Sequence, residues 1–384
     1  MTTWWVGQSD LDEDQVRVIS RPVDDHVFVT GPPGSGKTNL LLLRANYLYR
    51  AGHRNIAVLT FTRSLREFIA SGASQYSFPT HLIMTCKAWQ QDFLTQYGLT
   101  VNSTGDFEQM RQAYLSHIQQ VVDRHQLSGV YDAILLDEAQ DYLPAEIRLF
   151  SRLATRLFCV ADERQKIYQG EDSIAELRKS LGEPQVLRFH YRNGINICRV
   201  ADEVAKKLSG YKSLAQTCNY DEIANPSTVD YSQCDSIEEQ ARLILSRIGT
   251  QLATFPGQLL GILCPKRESM YAIWNAVKLS DHASAAFLLH GSSADTFPPH
   301  GRIVVSTFHA AKGLEFRALH LAACDELKSF KNNRRMTFTA VTRAKTALSV
   351  YHTGPIHPYF DAALRSLEPA PALPSLDDLF GGLR

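Results

Sequence analysis

The sequence lacks an excess of charge of either sign. Its 384 residues carry 40 Lys plus Arg and 40 Asp plus Glu, so the formal net charge at pH 7 is +0. A small nucleic-acid-binding domain usually carries a strong positive charge overall. The balance excludes a global positive field, so any site for a polyanion must be a local groove.

Paired cysteines are also missing. The chain contains no CxxC motif, and its seven cysteines occur singly, at positions 86, 159, 198, 218, 234, 264 and 324. This scatter argues against a zinc knuckle, an iron–sulfur cluster and a disulfide framework. It favours a reducing compartment, the cytoplasm.

Long apolar runs are absent as well. The most apolar stretch, "NLLLLRANYL", is short and interrupted by Arg44, and the opening "MTTWWVGQSD" has neither a basic nor an apolar signal region. A hydrophobic content of 44% is nevertheless enough to form cores. We expect a soluble, cytoplasmic globular protein without a membrane partner.

Short apolar runs alternate with helix-like segments along most of the chain. This alternation is typical of parallel βαβ units and predicts two α/β domains that divide near residue 190. The runs are "VFVT", "IAVLTF", "HLIMT", "AILLD", "RLFCVA" and "VLRF", then "STVDYS", "LLGILC", "AAFLLH", "RIVVST", "ALHLAA" and "TALSVYH".

A phosphate-binding loop follows the first of these runs. "GPPGSGKT" fits the pattern GxxxxGK[ST] between a predicted strand and a predicted helix, which is the setting this motif needs. Glycines at 31, 34 and 36 let backbone N–H groups wrap the phosphates of a nucleoside triphosphate. Lys37 reaches the β- and γ-phosphates, and Thr38 ligates Mg²⁺.

A metal-side carboxylate is expected at the end of a neighbouring strand, and "AILLDEAQD" supplies it. Asp137 is the candidate Mg²⁺ ligand. Glu138, beside it, is suited to orient the attacking water and accept its proton.

Five further segments resemble, in their order and placement, the UvrD/PcrA/Rep group of superfamily 1A DNA helicases. The resemblance covers residues 11 to about 350 and implies two RecA-like domains with ATP in the cleft between them. The segments are "DEAQD", "VADERQKIYQG", "LRFHYRNG", "VSTFHAAKGLEF" and "RRMTFTAVTRAK".

The resemblance implies a domain plan. Residues 1–190 would form the first RecA-like domain, with a small helical insertion at about 90–128. Residues 191–366 would form the second, which carries the arginine fingers, and residues 367–384 a flexible tail.

The resemblance also implies further residues of the ATP site. Gln15 would read adenine, Tyr191 would stack on it, and Glu315 would contact the ribose. Gln165 would sense the γ-phosphate. Arg192 and Arg343 would reach across the cleft to neutralise the transferring phosphoryl group.

Single-stranded DNA is the nucleic-acid partner that the resemblance implies. The positions that would touch it are Phe61, Thr62, Arg63, Thr85, Tyr168, Thr307 and His309. The chain departs from the family at Gly170, where relatives carry a second aromatic residue, and at Arg63, where they carry asparagine.

The large accessory insertions of the family have no room here. Only 47 residues separate Trp89 from Asp137, and 114 separate Arg192 from Thr307. We therefore expect a compact motor that translocates on DNA and unwinds duplex with a partner. The alternative is an ATP-gated regulatory subunit of a nuclease or an anti-phage defence complex, with little helicase activity of its own.

The tail "LPSLDDLFGGLR" combines an apolar face with two aspartates. Short acidic-apolar segments of this kind can fold into a groove on a partner protein. We expect a nuclease or another protein to dock there; the alternatives are a disordered end and a tail that packs back on the second domain.

Overall fold

The computed structural model describes most of the chain, namely residues 11–61, 66–67, 76–101, 107–162, 172–208, 211–290, 297–298, 300–330 and 333–368. None of the helices within these ranges combines the length and the apolarity that a membrane crossing requires.

The first domain contains a six-stranded, wholly parallel sheet. Its strands are β1 (Val27–Thr30), β2 (Ile56–Thr60), β3 (Ile83–Thr85), β4 (Ala133–Leu136), β5 (Leu157–Ala161) and β6 (Gln185–Val186). They lie side by side in the order β3-β2-β4-β5-β1-β6. The accompanying helices are α1 (Glu13–Ile19), α2 (Lys37–Arg50), α3 (Cys86–Gln96), α4 (Phe107–Arg124), α5 (Pro144–Leu153) and α6 (Ser173–Leu181).

The second domain repeats this architecture. Its strands are β7 (Thr228–Gln233), β8 (Leu260–Cys264), β9 (Ala286–Leu289), β10 (Ile303–Thr307), β11 (Phe316–Leu321) and β12 (Ala344–His352), in the order β7-β12-β11-β8-β10-β9. Every pairing is parallel. The helices are α7 (Ile195–Ala205), α8 (Ile237–Thr254), α9 (Arg267–Lys278), α10 (Asn333–Val341) and α11 (Pro358–Arg365).

Most of the central strands are buried along their whole length. Every residue of β1, β2, β4, β5, β8 and β10 is buried. Helices cover both faces of a parallel sheet, so its strands are continuous apolar runs rather than alternating ones. Each of the twelve strands within the described residues overlaps one of the twelve predicted runs, which confirms the predicted fold of two RecA-like α/β domains.

Helices α3 and α4 occupy the connection between β3 and β4 and pack on the first domain. Trp89 of α3 is buried, and its indole N–H donates to the Tyr131 hydroxyl at 3.1 Å. Arg111 of α4 donates through Nε to the Glu146 carboxylate at 3.0 Å and through Nη2 to the Asp141 carbonyl at 2.8 Å. These contacts tie the helical pair to the chain on both sides of β4.

Parallel strands bring their carboxyl ends to one edge of each sheet, where ligand sites form in open α/β folds. In the first domain this edge carries the loop after β1, Asp137 after β4 and Asp162 after β5. Helix α7, which follows the linker from β6, packs on α10 and α11 of the second domain. Residues 187–194 therefore connect the two sheets.

Candidate nucleotide site and nucleic-acid face

The loop between β1 and α2 has a backbone that requires glycine. Gly34 has φ 78° and Gly36 has φ 82°, both in the left-handed region that side chains disfavour. A Cβ atom on Gly34 would also lie 2.4 Å from the Cβ of Arg192. The glycine thus lets the linker between the domains approach the loop closely.

Lys37 opens helix α2 and folds back over this loop. Its ammonium donates to the carbonyls of Gly31 at 2.9 Å and Pro32 at 2.8 Å. Burial lowers the pKa of Lys37, while the nearby carboxylates of Asp162 and Glu138 oppose that shift. The loop therefore holds a positive charge beside the N–H groups that begin α2, a favourable position for phosphate.

Thr38 and Asp137 bring two oxygen atoms together. The Thr38 hydroxyl donates to Asp137 Oδ2 at 3.0 Å, across 99 positions of sequence. Burial raises the pKa of Asp137 to about 7, and the negative charge of Glu138 adds to the shift. Hydroxyl and carboxylate oxygens are the donors that Mg²⁺ prefers, so this pair fits a magnesium ion.

Glu138 is held in an unusual backbone conformation. Its φ of 50° and ψ of 46° are left-handed, although it is not a glycine, and such geometry persists only where the surroundings enforce it. Its amide N–H donates to Asp137 Oδ1 at 2.9 Å. The Gln140 side chain donates to the Glu138 carboxylate and accepts from the Asp162 amide at 2.9 Å, which joins the ends of β4 and β5.

Cations from both domains face the Glu138 carboxylate. Burial alone would raise its pKa, but the positive charges of Lys312, Arg343 and Lys37 lower the value below the usual one. Glu138 therefore stays ionised at neutral pH. An ionised carboxylate can accept a proton from a bound water molecule.

Arg343 lies just after α10 and is 3% exposed. Its guanidinium donates to the carbonyls of Thr339 at 3.2 Å and Leu314 at 3.4 Å. Burial, followed by repulsion from Arg192, lowers its pKa to about 10. Two neighbouring cations in a buried cleft favour an anion between them.

Arg192 forms an ion pair with Glu315, and Lys345 lies 3.0 Å from the other oxygen of the same carboxylate. Burial opposes the charge of Glu315, but Arg192 and Lys345 lower its pKa to about 2. The structure thus places Glu315, the predicted ribose contact, between two basic residues at the P-loop side of the cleft.

A buried ion pair joins the two domains. Lys312, which follows β10, donates through Nζ to the Asp141 carboxylate, and the side chains are 3% and 0% exposed. Sequence reasoning placed neither residue in the site. The sequence feature that could have identified Lys312 is its position inside the family-like segment "VSTFHAAKGLEF".

Gln15 and Tyr191 both hydrogen-bond to the backbone of the P-loop. The Gln15 amide donates to the Ser35 carbonyl at 3.0 Å, and the Tyr191 backbone N–H donates to the Gly34 carbonyl at 3.1 Å. Asp12 connects them, because its carboxylate accepts from the Gln15 backbone at 2.8 Å and from the Tyr191 hydroxyl. Tyr191 is 39% exposed.

The predicted nucleic-acid contacts within the described chain lie at strand ends. Phe61 follows β2 and packs edge-on against Tyr142, with ring centroids 6.0 Å apart. The Thr85 and Thr307 hydroxyls end β3 and β10 and accept from nearby backbone N–H groups at 3.1 and 3.2 Å. His309 is exposed. Thr62, Arg63, Gln165, Tyr168 and the tail from 369 onward lie outside the described residues.

The fold and this cleft define a P-loop protein with two RecA-like domains. A family model described as an AAA domain matches residues 15–171, and one described as a UvrD-like helicase C-terminal domain matches residues 302–351. Together these matches support a UvrD-like superfamily 1 helicase.

The comparisons with curated proteins and with solved structures do not extend this assignment. A search of curated proteins found no match to the chain. A solved structure described as "The structure of PRRSV helicase" is 16% identical, with a TM-score of 0.42. The match covers 94% of this chain but 58% of that one, so the chain spans little more than half the length of that helicase.

Proposed function

We propose that this chain is an ATP-driven motor that translocates on single-stranded DNA. The observation that carries the proposal is the set of cations around Glu138, with Lys37 from the first domain and Lys312 and Arg343 from the second. Such a site is complete only when the domains meet. Hydrolysis would therefore be linked to cleft closure, and closure converts chemistry into motion.

ATP is the substrate, and the phosphate side of the site belongs to the first domain. Lys37 and the loop N–H groups would hold the β- and γ-phosphates. Thr38 and Asp137 would hold Mg²⁺, which supplies neutralisation of the phosphate oxygens when bound. Gln15 and Tyr191 would enclose the adenine, the first by hydrogen bonding and the second by stacking.

Glu138 would act on the water. It would orient one water molecule towards the γ-phosphorus and accept its proton as the new P–O bond forms and the bond to ADP breaks. Arg343 and Arg192 would neutralise the charge that spreads over the transferring group. Glu315 would position Arg192, because the two form an ion pair.

The proposal that the chain binds single-stranded DNA is supported by its resemblance to UvrD-like helicases and by the predicted contact residues at the strand ends. Phe61 and His309 offer aromatic surfaces for bases, and base stacking needs no particular sequence. The zero net charge limits the binding surface to a groove. Since the connections from Trp89 to Asp137 and from Arg192 to Thr307 are short, we infer translocation with partner-dependent duplex unwinding.

The test is steady-state ATP turnover by the purified chain with and without single-stranded DNA, and separately with single-stranded RNA. We expect DNA to stimulate turnover several-fold, and turnover by the Glu138→Gln variant to be lower by roughly 10²-fold or more with either polymer. Stimulation by RNA alone would show that the nucleic-acid partner is RNA rather than DNA. Turnover that neither polymer affects would overturn the motor and favour a nucleotide-gated regulatory protein.

A further inference from the structure

Three side chains with soft or borderline ligand atoms meet where the linker enters the second domain. His190 directly precedes Tyr191, Cys198 lies in α7, and Cys218 follows a short 3₁₀ turn at Ala215–Thr217. One ligand atom from each residue lies within 4.8 Å of the other two. Their spacing of 8 and 20 residues matches no recognised cysteine motif, so only the fold brings them together.

The backbone around this cluster is held in place. The His190 N–H donates to the Thr217 carbonyl at 3.1 Å, and the Asn219 N–H donates to the His190 carbonyl at 2.8 Å. Both thiols donate to the Asn193 carbonyl, from Cys198 at 3.4 Å and from Cys218 at 3.3 Å. The ligand positions are therefore set by the fold before any ion arrives.

The distances suit a tetrahedral ion. Bonds of about 2.3 Å to sulfur and about 2.0 Å to nitrogen imply edges of roughly 3.6 to 3.8 Å between ligand atoms. Cys198 Sγ lies 3.8 Å from His190 Nε2, and the whole set needs only a small contraction from 4.8 Å. Coordination through Nε2 would replace its present hydrogen bond to the Leu214 carbonyl at 2.9 Å.

The ligand chemistry selects the metal. Two thiolates and an imidazole favour Zn²⁺, whereas Mg²⁺ prefers the oxygen pair of Thr38 and Asp137. His190 and Cys198 are buried, while Cys218 is only partly buried and provides a path from solvent. Three protein ligands leave a fourth position for water.

We propose that His190, Cys198 and Cys218 form a zinc site that fastens the interdomain linker to α7. On binding, the two thiols would release their protons and the imidazole would coordinate in its neutral form. The ion would hold the residue next to Tyr191 and two positions before Arg192. The site is separate from the ATP chemistry and does not depend on the proposed motor activity.

The first experiment uses Co²⁺ as a spectroscopic probe on the reduced, chelator-treated full chain. We expect one equivalent to bind, with a thiolate-to-cobalt charge-transfer band that one equivalent of Zn²⁺ removes. Cys198→Ser and Cys218→Ser should lose the band. Cys234→Ser, a buried cysteine outside the cluster, should keep it. Absence of the band in the parent, or its persistence in Cys218→Ser, would overturn the proposal.

The second experiment measures thermal stability. Zn²⁺ should raise the thermal unfolding midpoint of the parent and of Cys234→Ser but not of Cys218→Ser, because an ion that binds only the folded state stabilises it. Intact-mass analysis of the untreated protein tests the alternative, which is a disulfide between the two cysteines. A loss of two hydrogens, mapped to a peptide joining Cys198 and Cys218, would assign a disulfide and exclude the metal site.

Discussion

Lys312 of the second domain reaches across the cleft and binds the Asp141 carboxylate of the first domain, in a pair that is almost completely buried. Asp141 lies three residues after Glu138, and Lys312 also contributes to the low pKa of Glu138. One lysine thus acts on the contact between the domains and on the charge of the proposed base. In the proposed mechanism, closure of the cleft and readiness for hydrolysis would be linked through it.

Breaking this pair should destabilise the chain. Lys312→Met leaves Asp141 buried without its cation, and we expect the free energy of unfolding to fall by about 3–5 kcal/mol. Urea titration measures the loss. The double variant Lys312→Met/Asp141→Leu should recover most of it, whereas Arg365→Ala, which removes an exposed ion pair, should change little. Single-variant losses that simply add would show that the two residues do not interact.

Lys37 and Glu138 should separate binding from chemistry. Lys37→Ala removes a charged donor to phosphate and should weaken ATP binding roughly 10- to 100-fold. Glu138→Gln keeps the shape but not the proton acceptor, so turnover should fall roughly 10²- to 10⁴-fold while ATP stays bound. Equilibrium binding and single-turnover assays distinguish them. Parental hydrolysis by Glu138→Gln would remove it as the base.

Arg343 should act on the transition state. Arg343→Ala should reduce turnover roughly 10³- to 10⁵-fold and change ATP affinity much less, because its partner charge develops only during phosphoryl transfer. Circular dichroism checks that the variant is folded, and Arg343→Lys supplies a second variant that keeps the buried charge. Turnover unchanged in both variants would exclude a cross-cleft finger.

Glu315 should give the stability a specific pH dependence. Its folded pKa of about 2 lies below the ordinary value of 4.5, so its ionisation stabilises the fold above pH 4.5 and the gain is lost as pH falls towards 2. At pH 7 the Glu315→Gln variant should be less stable by on the order of 3 kcal/mol. That difference should shrink in unfolding titrations below pH 4.5. A gap independent of pH would indicate lost packing instead, and Asp361→Asn serves as the exposed control.

His309 should contribute to binding of single-stranded DNA. If its exposed ring stacks on a base, His309→Ala should raise the dissociation constant at least roughly fivefold, which corresponds to about 1 kcal/mol. His125→Ala, an exposed histidine directly after α4, is the matched control. Fluorescence anisotropy with labelled oligonucleotides measures both, and basal ATP turnover should stay unchanged. Equal effects of the two variants would remove His309 from the binding face.

Much of the fold could be predicted because the relevant signals are local. Buried parallel strands must be continuous apolar runs, so "AILLD" and "RIVVST" identify β4 and β10 without any tertiary information. The P-loop is equally local, since glycine at 34 and 36 meets a backbone need within a few residues. The roles of individual site residues remain predictions, because spacing does not report distance in space.

By itself, the sequence determined the two α/β domains, the positions of their strands along the chain and the resemblance to UvrD-like helicases, because apolar runs and motif order can be read from the sequence. The order of the strands within each sheet came from the structure. Only the tertiary structure decided that Lys312 meets Asp141 across 171 positions, and that His190, Cys198 and Cys218 form one cluster. Those contacts depend on how separate elements pack. Packing arises from many weak contacts between residues that are far apart in the sequence, and no single stretch of sequence encodes it.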